Sequence, residues 1–128
     1  MNPPPPPPAY DPDNPFAKIL RGEIPCKKVF EDEHALAFHD IRPQAPVHAL
    51  VIPKGAYIDM DDFGRRASAA EIAGFFRAVA EVARRLGLAA PGYRFLANQG
   101  GHARQEVFHF HVHIFGGRDL GGMIRRPE

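Results

Sequence analysis

Histidines at positions 109, 111 and 113 alternate with Phe110 and Val112 near the end of the chain. A β-strand sends successive side chains to opposite faces, so residues two apart share one face. The spacing predicts a strand with three imidazoles on one side and Phe110, Val112 and Ile114 on the other. The apolar side can pack on a core while the histidine side looks into a cleft. Imidazoles at neutral pH serve as nucleophiles, proton donors and acceptors, or metal ligands. The row therefore reads as the reactive part of an enzyme.

Three readings compete for it. A decorated surface strand is disfavoured, because histidine is too uncommon for three to share one face by chance. A metal site is the second, since two histidines at i and i+2 can share a zinc ion. In a straight row, however, the outer pair stand about 13 Å apart at about 3.3 Å per residue. Zinc–nitrogen bonds are only about 2.0–2.1 Å, so three such rings converge poorly on one ion. No metal or other cofactor is expected to be required. The third reading gives each ring its own task. Group transfer through a covalent intermediate needs a nucleophile, a group that sets its tautomer, and an acid for the leaving group. His111, flanked on both sides, is the natural nucleophile for phosphorus or an acyl carbon.

The loop before the row favours phosphorus. Backbone N–H groups around Gly100 and Gly101 can cradle anionic oxygens, and Asn98 and Gln105 can add side-chain donors. A glycine loop of this kind is equally compatible with a plain turn.

The elements that must carry these groups are legible in part. Asn14 is a good N-cap and Pro15 suits a first helical position, so a short helix is expected over 14–20, ending at Gly22. Lys28–Phe30 and Ala35–Phe38 flank the acidic turn Glu31-Asp32-Glu33 and read as a hairpin. His48–Ile52, bounded by Pro46 and Pro53, is a third strand. Ser68 and Glu71 form a capping box for a helix reaching Leu86 and closed by Gly87. Its stripe of Ile72, Phe75, Phe76, Val79 and Val82 must bury against a sheet or a partner chain. Tyr93–Ala97 is a fourth strand and Val107–Phe115 the fifth. Hairpins with helices between them give an α+β fold with a largely antiparallel sheet.

The 128 residues form one domain, and 45% hydrophobic with 24% charged residues implies a folded core. A formal net charge of +1 provides no field for nucleic acid or an anionic membrane. The single cysteine, Cys26, cannot form an internal disulfide. Neither a signal-like segment nor a long apolar run is present, so a cytoplasmic protein is the default expectation. Pro3–Pro8 suit polyproline II, and residues 1–13 are expected to be a disordered tail ahead of a domain over 14–128. A ligand for a proline-reading partner is the alternative for that tail.

The stretch Gln105–Phe115 resembles the signature of the histidine triad (HIT) superfamily, in which three histidines alternate with apolar residues. Phe16–Ile19, Gly22–Pro25, Ala37–Ile41, Pro43–Pro46 and His48–Lys54 resemble, in the same order, the Hint branch of purine nucleoside phosphoramidases. The resemblance covers roughly residues 14–122. It implies a HIT-like fold with one long and one short helix, and a homodimer whose sheet runs across both subunits with the long helix at the interface. It implies a nucleotidyl intermediate on His111, with His113 at the phosphate and leaving group. His109 and His48 would order the row. Asp40 would bind the ribose hydroxyls, Asn98 and Gln105 the phosphate, and Glu106 and Val107 would also lie at the substrate. Phe16, Ile19, Ile24, Phe38, His39 and Ile41 would frame the base. Read on their own, Asp40 can be a turn residue, His48 a satisfied structural histidine, and Phe16, Ile19, Ile24 and Ile41 plain core.

The chain departs from that pattern at three points. Glu106 stands where the Hint branch often has serine, and a carboxylate facing a phosphate repels it. Arg104 stands where a small residue is common and can supply compensating charge. The chain has no tryptophan, so the carboxyl-terminal contact seen in some relatives has no counterpart. The resemblance implies hydrolysis of the P–N bond of purine nucleoside 5′-phosphoramidates; the alternatives are a dinucleoside polyphosphate hydrolase and a non-catalytic nucleotide-binding module.

Overall fold

Asn14 starts the first helix of the chain in this computed structural model, which describes residues 5–125. Its Oδ1 accepts the N–H groups of Phe16 at 3.0 Å and Ala17 at 2.9 Å, satisfying two donors that a helix start leaves open. The helix, α1, spans Pro15–Leu20. Then come strands β1 (Lys28–Glu31), β2 (Ala35–His39) and β3 (Val47–Pro53), helices α2 (Met60–Arg66) and α3 (Ala69–Arg85), and strands β4 (Arg94–Leu96) and β5 (Val112–Gly116). The five strands form one antiparallel sheet in the order β1-β2-β3-β5-β4.

Helix α3 follows its expected course. Ser68 and Glu71 close the capping box reciprocally. At the other end Gly87 has φ +75°. The N–H groups of Gly87 and Leu88 reach back to the carbonyls of Arg84 at 3.0 Å and Ala83 at 2.9 Å. That pair of bonds is a Schellman motif, which needs a left-handed residue at this position. The apolar stripe packs on one face of the sheet, through Phe75, Ala78, Val79 and Val82 against Ala35, Ala37, Ala49, Val51, Val112 and Ile114.

The opposite face carries a smaller cluster of Phe16, Leu36, Phe38, Leu50 and Ile52 beneath α1. Strand parity explains the division: in β3, residues 49 and 51 face α3, while 48, 50 and 52 face α1. His48 is thereby delivered to the α1 side. The register sets Leu50 against His113 and His48 against Phe115, so His48 and His113 are diagonal neighbours.

Two expectations need correction. Helix α2 was not foreseen. It is short, but Asp59 caps it, with Oδ1 accepting the Asp62 N–H at 2.9 Å, and Asp61–Arg65 and Asp62–Arg66 pair along it. The histidine strand is also shorter than the 107–115 predicted, because regular pairing begins at Val112. Pro53 closes β3 and has no N–H to donate, and the Phe110 N–H goes to the Tyr57 carbonyl at 2.7 Å. The alternation survives without the ladder: Phe110 joins Val112 and Ile114 in the core beside α3.

The body begins earlier than Asn14. The Asn14 side-chain amide donates to the Asp11 carbonyl at 2.7 Å, and Arg21 donates to the Pro12 carbonyl at 2.6 Å. Residues 1–4, which include Pro3 and Pro4 of the proline run, lie outside the described residues. No helix among the described residues is long and apolar enough to cross a membrane.

Candidate active site

The carboxyl-terminal end of the histidine row is set by β5, and the rest by side-chain hydrogen bonds. His109 is fully buried. Its Nε2 lies 3.0 Å from the Pro53 carbonyl, which can only accept, so the ring proton sits on Nε2. Its Nδ1 then accepts from the Tyr10 hydroxyl at 2.8 Å. His111 donates from Nδ1 to the His109 carbonyl at 2.7 Å. That assigns the His111 proton to Nδ1 and leaves the Nε2 lone pair open. The His111 ring stands edge-on to Phe16, with centroids 4.9 Å apart.

A second chain of donors begins at the backbone. The Gln44 N–H donates to His48 Nδ1 at 3.1 Å. The His48 proton therefore sits on Nε2, which lies 3.0 Å from His113 Nδ1 and 3.4 Å from Asp40 Oδ2. His113 in turn carries its proton on Nε2. Phe115 stacks on the His113 ring at 5.6 Å with an interplanar angle of 5°, and its centroid lies 4.2 Å from that of His48.

Burial keeps all four rings neutral. It pushes His109 down to about 4. It also pushes His113 down to about 4, with His111 and His48 adding to the effect. His111 is lowered chiefly by burial, against the backbone bond to His109 and the charge of Asp40. His48 is lowered by the same cause, opposed by Asp40. The 3.4 Å approach of His48 and Asp40 is accordingly a carboxylate beside a neutral ring and not an ion pair. A neutral imidazole with an open lone pair is the form that attacks an electrophile.

The other expected site residues divide. Asp40 uses Oδ1 to accept the Arg42 N–H at 2.8 Å, and its Oδ2 faces the His48–His113 pair. Phe16 and Phe38 are buried and meet edge-to-face at 5.7 Å. Ile19 and Val107 are half-buried against the same cluster. Ile24 and Ile41 are exposed, Ile41 at 92%, so neither is the plain core residue that sequence alone allowed. His39 is the exposed last residue of β2, on the parity of Ala35 and Ala37 and not of Phe38. Asn98 is half-buried ahead of the loop and Glu106 is exposed.

Gln105 corrects an expectation. Its Nε2 donates to the carbonyls of Ile58 at 2.9 Å and Val107 at 3.1 Å, and its Oε1 accepts the Gly100 N–H at 3.0 Å. The amide is occupied in pinning the loop and holds no donor free for a phosphate. Arg104, at φ +55°, closes a 3₁₀ turn over Gly101–Ala103 and is exposed.

Sequence reasoning missed Tyr10, Gln44 and Phe115. Phe115 had a signal, because it continues the histidine parity by one step. Gln44 acts through its backbone, and Tyr10 stands in a segment set aside as tail, so neither had one. The donor atoms of Asp40, His48 and His113 lie within 4.8 Å of one another, a spacing that could hold a metal ion. An ion there would have to displace the proton between the two rings. A separate hollow of about 770 Å³ lies at the far end of β5, lined by Leu86, Tyr93, Arg94 and Arg118 among others, and contains no histidine.

The HIT domain family matches residues 21–120. The chain belongs to the HIT family. It is 71% identical over 117 residues to an uncharacterized 13.2 kDa HIT-like protein of Azospirillum brasilense, covering 91% of this chain and 96% of that one. It is 40% identical over 109 residues to the purine nucleoside phosphoramidase of Escherichia coli, covering 85% and 91%. Among solved structures it is similar to a HIT family hydrolase from Clostridium thermocellum, with a TM-score of 0.81, 39% identity and coverage of 88% and 97%. The HIT fold, a five-stranded antiparallel sheet with few helices, is thus shared with hydrolases of the family.

Proposed function

We propose that this HIT protein hydrolyses purine nucleoside 5′-phosphoramidates, the P–N compounds of a nucleoside monophosphate and an amine. The observation that carries the proposal is the Nδ1 bond of His111 to the His109 carbonyl, which leaves Nε2 as an open nucleophile on a ring that burial keeps neutral. His111 Nε2 attacks the α-phosphorus in line. A P–N bond to the imidazole forms as the P–N bond to the amine breaks, and the departing nitrogen takes one proton from solvent. His113 Nε2–H donates to a phosphoryl oxygen and steadies the charge that develops there. Water then attacks phosphorus, the histidine–phosphorus bond breaks, and nucleoside monophosphate leaves with release of one proton. The 40% identity to a purine nucleoside phosphoramidase supports the substrate class.

Asp40, with Oδ2 facing the site, is assigned to the ribose hydroxyls. Phe16, Ile19, Ile24, Phe38 and Ile41 are assigned to the base, with the two phenylalanines as floor and the exposed isoleucines as flanks. At the phosphate, Asn98 and the backbone N–H groups before Val107 take the place of the expected Gln105 side chain. No metal takes part. A homodimer is part of the proposal: β4 is an edge strand carrying exposed Phe95, with exposed Tyr93 just before it, and a second copy would cover both.

The test compares hydrolysis of an adenosine phosphoramidate with that of a diadenosine polyphosphate, with and without chelator, and isolates the acid-labile nucleotidyl-protein. Faster cleavage of the phosphoramidate, unchanged by chelator, is expected. Preference for the polyphosphate would transfer the chain to the other branch of the superfamily. Nucleotide binding without any labelled protein would make it a binding module.

A further inference from the structure

We infer that Tyr10 is a positioning residue for the triad: its hydroxyl holds the His109 ring, and through the His109 carbonyl it keeps the His111 lone pair aimed at the substrate. This inference rests on the reading of His111 as nucleophile.

A fully buried neutral imidazole needs a partner at each nitrogen. Pro53 supplies one for His109, and Tyr10, 99 residues distant in the chain, supplies the other at 2.8 Å. The two rings also touch, with centroids 5.7 Å apart. These pins matter because residues 107–111 lie outside the strand ladder. The His109 carbonyl, which sets the His111 tautomer at 2.7 Å, shares a peptide plane with the Phe110 N–H that binds the Tyr57 carbonyl, so that bond and the two ring pins hold it together.

The segment that presents Tyr10 is itself built. The Asp11 carboxylate accepts the Asp13 N–H at 2.8 Å, and the Asp11 carbonyl accepts both the backbone N–H of Asn14 at 3.1 Å and its side-chain amide. Asn14 therefore caps α1 with one side-chain atom and holds the turn with the other. Arg21, at the end of α1, grips the Pro12 carbonyl and lies 3.6 Å from the Asp13 carboxylate. Tyr10 is half-buried at the head of this turn, whereas Pro5–Ala9 are exposed coil. The boundary between tail and body falls at the residue whose hydroxyl reaches the triad.

The test uses the full chain, labelled with ¹⁵N-histidine, as wild type and as Tyr10→Phe, which removes only the hydroxyl. Ring ¹⁵N shifts report which nitrogen carries the proton. In the wild type His111 shows the proton on Nδ1 and His109 on Nε2. In Tyr10→Phe the His109 shifts move as Nδ1 loses its partner, and the two His111 shifts move toward each other as both tautomers populate. With a phosphoramidate substrate, kcat falls about tenfold while KM changes less than twofold, the split expected when orientation and not binding is lost. A tail that only tethers would leave the ring shifts alone. Histidine shifts identical to wild type overturn the inference, whatever the rate does. Arg21→Ala, which loosens the turn without touching the hydroxyl, produces a smaller shift in the same direction and serves if Tyr10→Phe fails to fold. A wild type that does not cleave phosphoramidates sinks the proposed reaction and leaves the ring measurement intact.

Discussion

The two faces of the sheet are held by different physics. The α3 face is aromatic and aliphatic: Phe63, Phe75 and Phe110 meet with centroids 4.9–5.3 Å apart among small and branched neighbours. The α1 face places His48, His109, His111 and His113 among Phe16, Phe38 and Leu50, and there each ring nitrogen except His111 Nε2 and His113 Nε2 has a named partner. The first face depends on volume, the second on direction. A lost methylene on the α3 side costs stability wherever it occurs. A misdirected proton on the α1 side unpairs buried groups at about 1–3 kcal/mol each and disarms the proposed chemistry as well. The same histidine alternation serves both faces, since Phe110, Val112 and Ile114 bury while the imidazoles turn the other way.

Removing the nucleophile is the largest test of that division. His111→Ala lowers turnover by at least about 1,000-fold, with nucleotide affinity by calorimetry close to wild type. Retained turnover would refute the assignment. The converse change is Phe75→Ala on the α3 face. It lowers the unfolding free energy by about 3–5 kcal/mol in denaturant titrations, with kcat per folded molecule unchanged. A comparable loss of kcat would show that the faces are coupled.

The third test sharpens the comparison through pH. His109 titrates near 6.5 when unfolded and at about 4 in the folded protein. Below the upper value the unfolded chain binds a proton that the native state refuses, so stability falls as pH drops from about 6.5 toward 4. The full window is worth on the order of 3 kcal/mol for this ring. His109→Gln, which can keep both hydrogen bonds, should flatten the slope by about one proton when unfolding is followed at successive pH values. The smallest effect is Ser68→Ala, which breaks the capping box of α3 at a cost of about 1 kcal/mol and leaves turnover untouched.

What could be read from the chain follows the same line. Helix α3 was legible at both ends because its signals are local: a serine and a glutamate three apart, a stripe, and a glycine. Strands β1 to β3 were legible because turn residues bound them. Helix α2 was not, since its seven residues hold little apolar stripe beyond Phe63 and its support comes from charge pairs. The length of β5 was overread because alternation reports which way side chains point and says nothing of whether a neighbouring strand remains to pair with. At the site, the identities of the four histidines were visible in their spacing and in the family resemblance. Their proton positions were not, because those depend on Tyr10, Pro53 and Gln44, which meet the rings only after folding. Gln105 shows the same limit: its type suggested a donor for ligand, and its place made it a brace for the loop.

The chain of donors from the Gln44 amide through His48 to His113 points in one sense throughout. These two hydrogen bonds add to a small electric dipole whose positive end lies at the His113 imidazole. An anion can be met there without any formal cation. Attraction of that kind acts at contact distance and is largely indifferent to ionic strength, unlike binding through lysine or arginine. The phosphate affinity proposed for this site should therefore survive salt concentrations that would strip a nucleotide from a basic surface.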